Sequence, residues 1–368
     1  MGGDALLKFK DSLLISKLYL MVDFFFVLSG FIMCHVYGKW FTNRVEGFSF
    51  KKFTIARLAR IYPLHLFTLV YLIALRLWFI NSGGKDASPF DISSFTWQSV
   101  PTNLLLVQSM NLHNWFTWNN AAWSISTEWW MYMLFPFLVA PFMRLKGAAR
   151  VAVILGCFAG YLLIMLYIQR FVTVPQFLSF IKPEQNINVS YQFGFLRCLF
   201  GFILGMSIYR GYQDGFGKKL FSNGFVFILL VLGLFTCLHM SVPDVFSVAF
   251  YPLIILSAAY GSPGMNSFFG NPIMQRLGDW SFSIYLVHQP IAYTYSTIQL
   301  YLHPPKDNGF LDGPPKPDML TAWMICLIFI ALTLLLSWLT YKLVEVPSRN
   351  WINDRFRTRD GKNNLQTL

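Results

Sequence analysis

Arg57 and Arg60 stand three residues apart in FTIARLARIYPLHL, so a helix sets both guanidiniums on one face. Two adjacent guanidiniums suit the phosphates of a nucleotide-like ligand. At the cytoplasmic mouth of a membrane span they would equally serve as a positive-inside anchor. His65 follows one to two turns deeper, where a packing histidine that hydrogen-bonds a neighbour is the plainer role. Glu128 stands in AAWSISTEWWMYMLFP, and a carboxylate is hard to explain there as packing. Ser124 and Tyr132, four residues to either side, share its helical face. Pro136 frees the carbonyl of Tyr132, and Trp123, Trp129 and Trp130 surround the polar patch. This is the pattern of an acid/base or substrate site, with an interfacial glutamate as the alternative.

Three further ionisable groups fall inside apolar runs. Asp23, in LMVDFFFVLSGF, is placed to orient a buried base or hold a cation, or to face the outer loops as an interfacial carboxylate. Arg197, in YQFGFLRCLFGF, either snorkels to the outer surface or needs a buried carboxylate, for which Glu128 is one candidate. His288, in LGDWSFSIYLVHQPI, shares a face with Ser281 and Tyr285, and Pro290 should kink the helix just past it. A histidine packed against a neighbouring helix is the alternative for His288. No HExxH, P-loop, GxSxG or Rossmann pattern occurs, and the five cysteines have no metal or redox spacing. Neither a metal site nor a disulfide is expected.

The elements that must position these groups are membrane helices. The chain has 368 residues, 55% hydrophobic and 12% charged, against about 25% charged in soluble domains. About nine runs reach spanning length: 18–38, 60–80, 121–143, 151–169, 193–209, 222–240, 245–261, 280–302 and 320–343. The expected fold is all-α, a polytopic membrane helical bundle forming one domain over 1–368. The net charge of +12 comes from basic residues between the runs, so it orients the protein and gives no support to nucleic-acid binding. Basic segments 39–57, 144–150, 210–221 and the tail after 345 go to the cytoplasm. Loops 81–120, 170–192 and 303–319 go outside. Residues 1–17 then also lie outside without a signal peptide, an awkward start that one further upstream helix would resolve.

Together these segments resemble the acyltransferase 3 family. VDFFFVLSGFIM at 22–33, ARLARIYPLHL at 56–66, WSISTEWWMYMLFP at 123–136, LGDWSFSIYLVHQP at 277–290 and LVEVPSRNW at 343–351 occur in family order. The resemblance implies a ten-helix membrane enzyme that moves an acyl group, commonly acetyl, from a cytosolic acyl-CoA to a hydroxyl of a carbohydrate or glycolipid. It implies a bacterial inner membrane setting and a lipid environment. By resemblance, Arg57 and Arg60 would meet the CoA phosphates, Glu128 and His288 would be the catalytic candidates, and Glu345 would match the acidic residue near the C-terminus. From their own positions in the spans, Asp23, His65, Ser124, Arg197 and Tyr285 are the candidate substrate-binding residues. The family's first helix carries a basic residue and, about three turns later, a histidine thought to be the essential catalytic residue. No histidine precedes His35 here, and His35 follows the FFFVLSG segment. The expectation is a chain that lacks that helix, through a late start in the gene or a divergent loss. An envelope-saccharide transporter or flippase, or a catalytically dead homologue, is the competing expectation, and dependence on acyl-CoA separates the enzyme from the carrier.

Overall fold

The computed structural model describes residues 13–84, 94–173, 186–240, 242–303 and 317–356. Among them all regular structure is helical. The principal helices are α1 Met21–Phe41, α2 Gly47–Asn81, α3 Ala122–Arg144, α4 Ala148–Leu166, α5 Gly194–Gln213 and α6 Gly224–His239. They continue as α7 Asp244–Tyr260, α8 Pro263–Phe269, α9 Pro272–Leu302, α10 Met319–Thr340 and α11 Val346–Arg355.

Each expected span falls on a helix, yet length and composition single out fewer as membrane-crossing. Leu18–Phe41, Gly47–Asn81, Ala148–Leu166 and Met319–Arg355 qualify, and α7 with α8 forms a fifth stretch bent by 96°. The expected count of nine also needs α3, α5, α6 and α9. α6 is apolar but short, while α3, α5 and α9 carry the polar side chains described below. Pro136 and Pro141 lie inside α3, and Pro290 inside α9, which runs on to Leu302.

α1 and α5 form the centre of the bundle and touch backbone to backbone. A Cβ at Gly30 would meet the carbonyl of Phe202, and one at Gly205 the carbonyl of Val27. Membrane helices approach this closely only through small residues. One end of the bundle gathers basic segments: Arg150 pairs with Asp214 across the 144–150 and 210–221 connections, and α11 packs on α2. The opposite end is built from 105–121 and 186–193, joined where Phe193 N donates to Asn111 Oδ1 at 2.7 Å. Of the charged loop residues, Lys85, Asp86, Asp91, Lys182, Glu184, Arg357, Arg359 and Lys362 lie outside the described residues, as does most of the 303–319 loop.

A buried ion network pins this second end. Arg197 donates to Asp23 through Nε at 3.0 Å and Nη2 at 2.6 Å, and through Nη2 to the carbonyl of Tyr19 at 2.9 Å. Both side chains are fully buried, and the guanidinium lies 5.4 Å from the centre of the Trp123 ring. Beside them, Asp244 accepts from Lys17 Nζ at 2.5 Å, Tyr19 Oη at 2.6 Å and Ile187 N at 2.9 Å. The carboxylate partner of Arg197 is therefore Asp23 and not Glu128: the arginine's fork reaches α1, while Glu128 faces a different side of α3. The five cysteines are free.

Candidate active site

Helices α1, α2, α3 and α9 enclose a cavity of about 280 Å³. α3 contributes Ser124, Glu128 and Tyr132 from successive turns. Tyr132 Oη donates to Glu128 Oε1 at 2.6 Å, and Ser29 Oγ of α1 stands 3.2 Å from the same phenol. With the phenol proton committed to the carboxylate, Ser29 is the donor of that second bond. Glu128 is half-buried, its remaining exposure opening on the cavity. Ser124 Oγ and Tyr285 Oη, 2.8 Å apart, tie α3 to α9 across the cavity wall.

The arginines enter from α2. Arg57 Nη2 donates to Tyr37 Oη at 2.8 Å, with its guanidinium 4.9 Å from the Tyr37 ring centre and 5.8 Å from that of Tyr132. Arg57 Nε is buried and has no hydrogen-bond partner among the described residues, so it is a donor held ready. Arg60 pairs with Glu345 and lies 5.4 Å from the Phe282 ring centre. Glu345 faces inward because the chain passes through a π-helical turn, Tyr341–Glu345, between α10 and α11. Such turns widen the helix by one residue per turn and recur at functional sites. Glu345 Oε2 accepts from Ser283 Oγ of α9 at 3.0 Å.

The structure thus brings together Arg57, Arg60, Ser124, Glu128 and Tyr285, with Tyr132 and Ser281. It keeps four other expected site residues off the cavity lining. Asp23 and Arg197 satisfy each other behind Trp123. His65 is buried with Nε2 2.9 Å from the carbonyl of Asn103. His288 lies one turn beyond Tyr285, its ring 6.0 Å from the phenol ring centre. Sequence inspection passed over Ser29, Tyr37 and Ser283. The first two were accessible to it, because Ser29, Met33 and Tyr37 recur at every fourth position of α1 and all turn towards the arginines and Glu128. No group of three or more His, Cys, Asp or Glu that could hold a metal ion occurs among the described residues.

Beyond Trp123, at the far end of α3, a narrow polar and aromatic cleft is lined by Gln108, Asn119, Trp115 and Tyr191. Burial pushes the Tyr191 phenol up to about 12 and lowers His113, in the same loop, below the usual histidine range.

Helices apolar enough to cross a membrane, enclosing a cavity lined by two guanidiniums and a hydroxyl-bound carboxylate, define an integral membrane protein with an internal polar site. Residues 18–342 match the family model described as an acyltransferase domain. The chain belongs to the acyltransferase 3 family, and it is accordingly an acyltransferase of the kind that transfers groups other than aminoacyl groups. It is 26% identical over 356 residues to "Acyltransferase MdmB" of Streptomyces mycarofaciens, covering 91% of this chain and 81% of that protein. It is also 45% identical over 58 residues to "Protein 2 in picA locus" of Rhizobium radiobacter, covering 15% of this chain and 28% of that protein. No solved structure matches the chain.

Proposed function

We propose that the protein transfers an acyl group, acetyl in the simplest case, from acyl-CoA to a hydroxyl of a carbohydrate or glycolipid. The observation that carries this reading is one cavity joining Arg57 and Arg60 to Glu128, Ser124 and Tyr285. Acyl transfer from a thioester needs a group that takes the alcohol proton and donors that hold the developing oxyanion. Glu128 is the carboxylate available within the cavity to take that proton and return it to the departing thiolate. Tyr132 and Ser29 hold it in place. The Ser124 and Tyr285 hydroxyls, one turn of α3 from Glu128, are the donors placed to hold the developing oxyanion. Arg57 and Arg60 keep the anionic part of the donor at their end. His288, one turn past Tyr285, meets the acceptor as it enters from the opposite end. The similarity to "Acyltransferase MdmB" supports acyl transfer and does not define the acceptor.

The basic end of the bundle, with the C-terminal helix, is cytoplasmic in this proposal, and the membrane is the bacterial inner membrane. That orientation puts the arginines where acyl-CoA is found.

The test is acetyl transfer from radiolabelled acetyl-CoA to envelope saccharide in membranes carrying equal amounts of protein. Glu128→Gln should lower turnover about a hundredfold or more, and full activity in that variant would remove Glu128 from the chemistry. Arg57→Ala with Arg60→Ala should weaken acetyl-CoA binding. Unchanged affinity in a folded double variant would overturn the donor assignment and favour a carrier.

A further inference from the structure

The mouth of the cavity holds more positive charge than its own carboxylate can balance. Glu345 Oε1 is taken by Arg60, and Arg349, one turn further along α11, reaches the same oxygen only at 4.0 Å. Glu345 Oε2 is occupied by Ser283. Arg57 stands one turn before Arg60 on the same helix. Three guanidiniums therefore share two carboxylates, the buried Glu345 and, deeper in the cavity, Glu128, leaving a net charge of +1. A pair four residues apart on a helix is ordinarily a small stabilising contact. Here the shared oxygen is already used, and gathering like charges costs stability unless an anion completes the set. The Arg60 and Arg349 side chains keep 28% and 32% of their surface exposed, so an anion can reach both.

Arg349 does not line the cavity itself; it stands outside Arg60, on the α11 side. Its ligand is the portion of a donor that stays outside while the acyl end lies within. We propose that Arg349 is a third phosphate-binding residue of this protein, completing with Arg57 and Arg60 a site for a ligand bearing several phosphates. It would make the enzyme select free coenzyme A thioesters over acyl groups carried on an uncharged pantetheine or on a singly phosphorylated arm. This inference rests on the acyl-CoA reading of the same cavity. A planar guanidinium suits the task because it binds phosphate oxygens in pairs.

The experiment is equilibrium binding of coenzyme A, 3′-dephospho-coenzyme A and pantetheine to the purified full chain in detergent, for the wild type, Arg349→Gln and Arg349→Lys. A lost charge-assisted hydrogen bond corresponds to roughly a tenfold to hundredfold weaker Kd. Arg349→Gln should show that loss for coenzyme A and none for pantetheine, and Arg349→Lys should recover part of it. Coenzyme A binding unchanged in a folded Arg349→Gln, in a protein that still prefers coenzyme A to pantetheine, would reduce Arg349 to a helix ion pair and leave the donor reading standing. A wild type that binds coenzyme A no better than pantetheine would overturn both. Where Arg349→Gln misfolds, Arg349→Lys tests the same point, since it keeps the charge and loses the paired donors: coenzyme A binding weakened with pantetheine binding unchanged supports the assignment, and both unchanged overturns it.

Discussion

Replacing Arg197 by Met should damage the protein more than replacing Arg197 and Asp23 together. The wild-type guanidinium meets both Asp23 oxygens, the carbonyls of Tyr19 and Val189, and Asn188 Oδ1 at 3.3 Å. Without it, a fully buried carboxylate keeps only the Tyr161 hydroxyl, at 3.3 Å. Removing one partner of a buried pair costs about 3–5 kcal/mol, a large share of the roughly 5–15 kcal/mol that a folded domain has. Arg197→Met and the double variant Asp23→Leu with Arg197→Met leave the same Tyr19 and Val189 carbonyls unpaired, but only the single variant also strands a charge. Each single substitution strands one buried charge at about 3–5 kcal/mol and the double strands none, so the two should couple by at least about 3 kcal/mol in the stabilising direction. The assay is denaturant unfolding in mild detergent, followed by tryptophan fluorescence because Trp123 lies against the guanidinium, with acetyl transfer measured per folded molecule. Arg197→Met losing less than about 1 kcal/mol, or strictly additive effects, would refute the clamp. A stable Arg197→Met with a raised acceptor KM would return these residues to the substrate site.

Two further outcomes follow from the same geometry. Gly205→Leu should cost at least about 1–3 kcal/mol of stability, the range for overpacking a close contact, since its Cβ would press on the Val27 backbone beside Gly30; a wild-type melting temperature would contradict the α1–α5 contact. His113, half-buried and 2.7 Å from Thr102 Oγ1 through Nε2, binds its proton less readily in the folded state than in the unfolded one. Its contribution is then complete above the unfolded pKa of about 6.5 and declines as pH falls through that value. His113→Gln should flatten that acid slope relative to the wild type in unfolding measured from pH 7.5 to 5, and an unchanged slope would remove His113 as its source.

Periodicity made much of the site legible. Ser124, Glu128 and Tyr132 at intervals of four, Arg57 and Arg60 at three, and Ser281 with Tyr285 all lie on the faces their spacing requires. What spacing does not convey is which helix a face meets. Arg197 could snorkel or pair with a buried carboxylate, and Glu128 was the candidate in sight; its pairing with Asp23 follows only from α1 packing against α5. His65 looked the same on paper as a ligand and as a packing residue. Its partner, the Asn103 carbonyl, sits in the short helical turn Val100–Leu104, and no local signal marks where that turn docks. Glu345 needed the π-helical turn, a one-residue shift that an ideal helical wheel misses.

The placement of charge also bears on direction. At the 186–193 end, Asp23 balances Arg197 and Asp244 balances Lys17, so that end offers no free charge from these pairs. At the α2–α11 end, Glu345 balances one of three arginines. The cavity runs along α1 from Val22 to Met33, about 16 Å of helix, with Arg57 at the Met33 end and Glu128 near its middle, where Tyr132 and Ser29 meet. In the acyl-CoA reading proposed above, the arginine mouth attracts the anionic donor and its thioester end extends inwards to Glu128, while a neutral acceptor approaches from the other side. The asymmetry supports a reaction in which the two substrates approach from opposite faces and only the acyl group passes between them. An acceptor bearing phosphate should accordingly compete with acetyl-CoA, whereas a neutral one should not; initial-rate kinetics with paired neutral and phosphorylated saccharides measure this, and competition by the neutral sugar would overturn the two-sided arrangement.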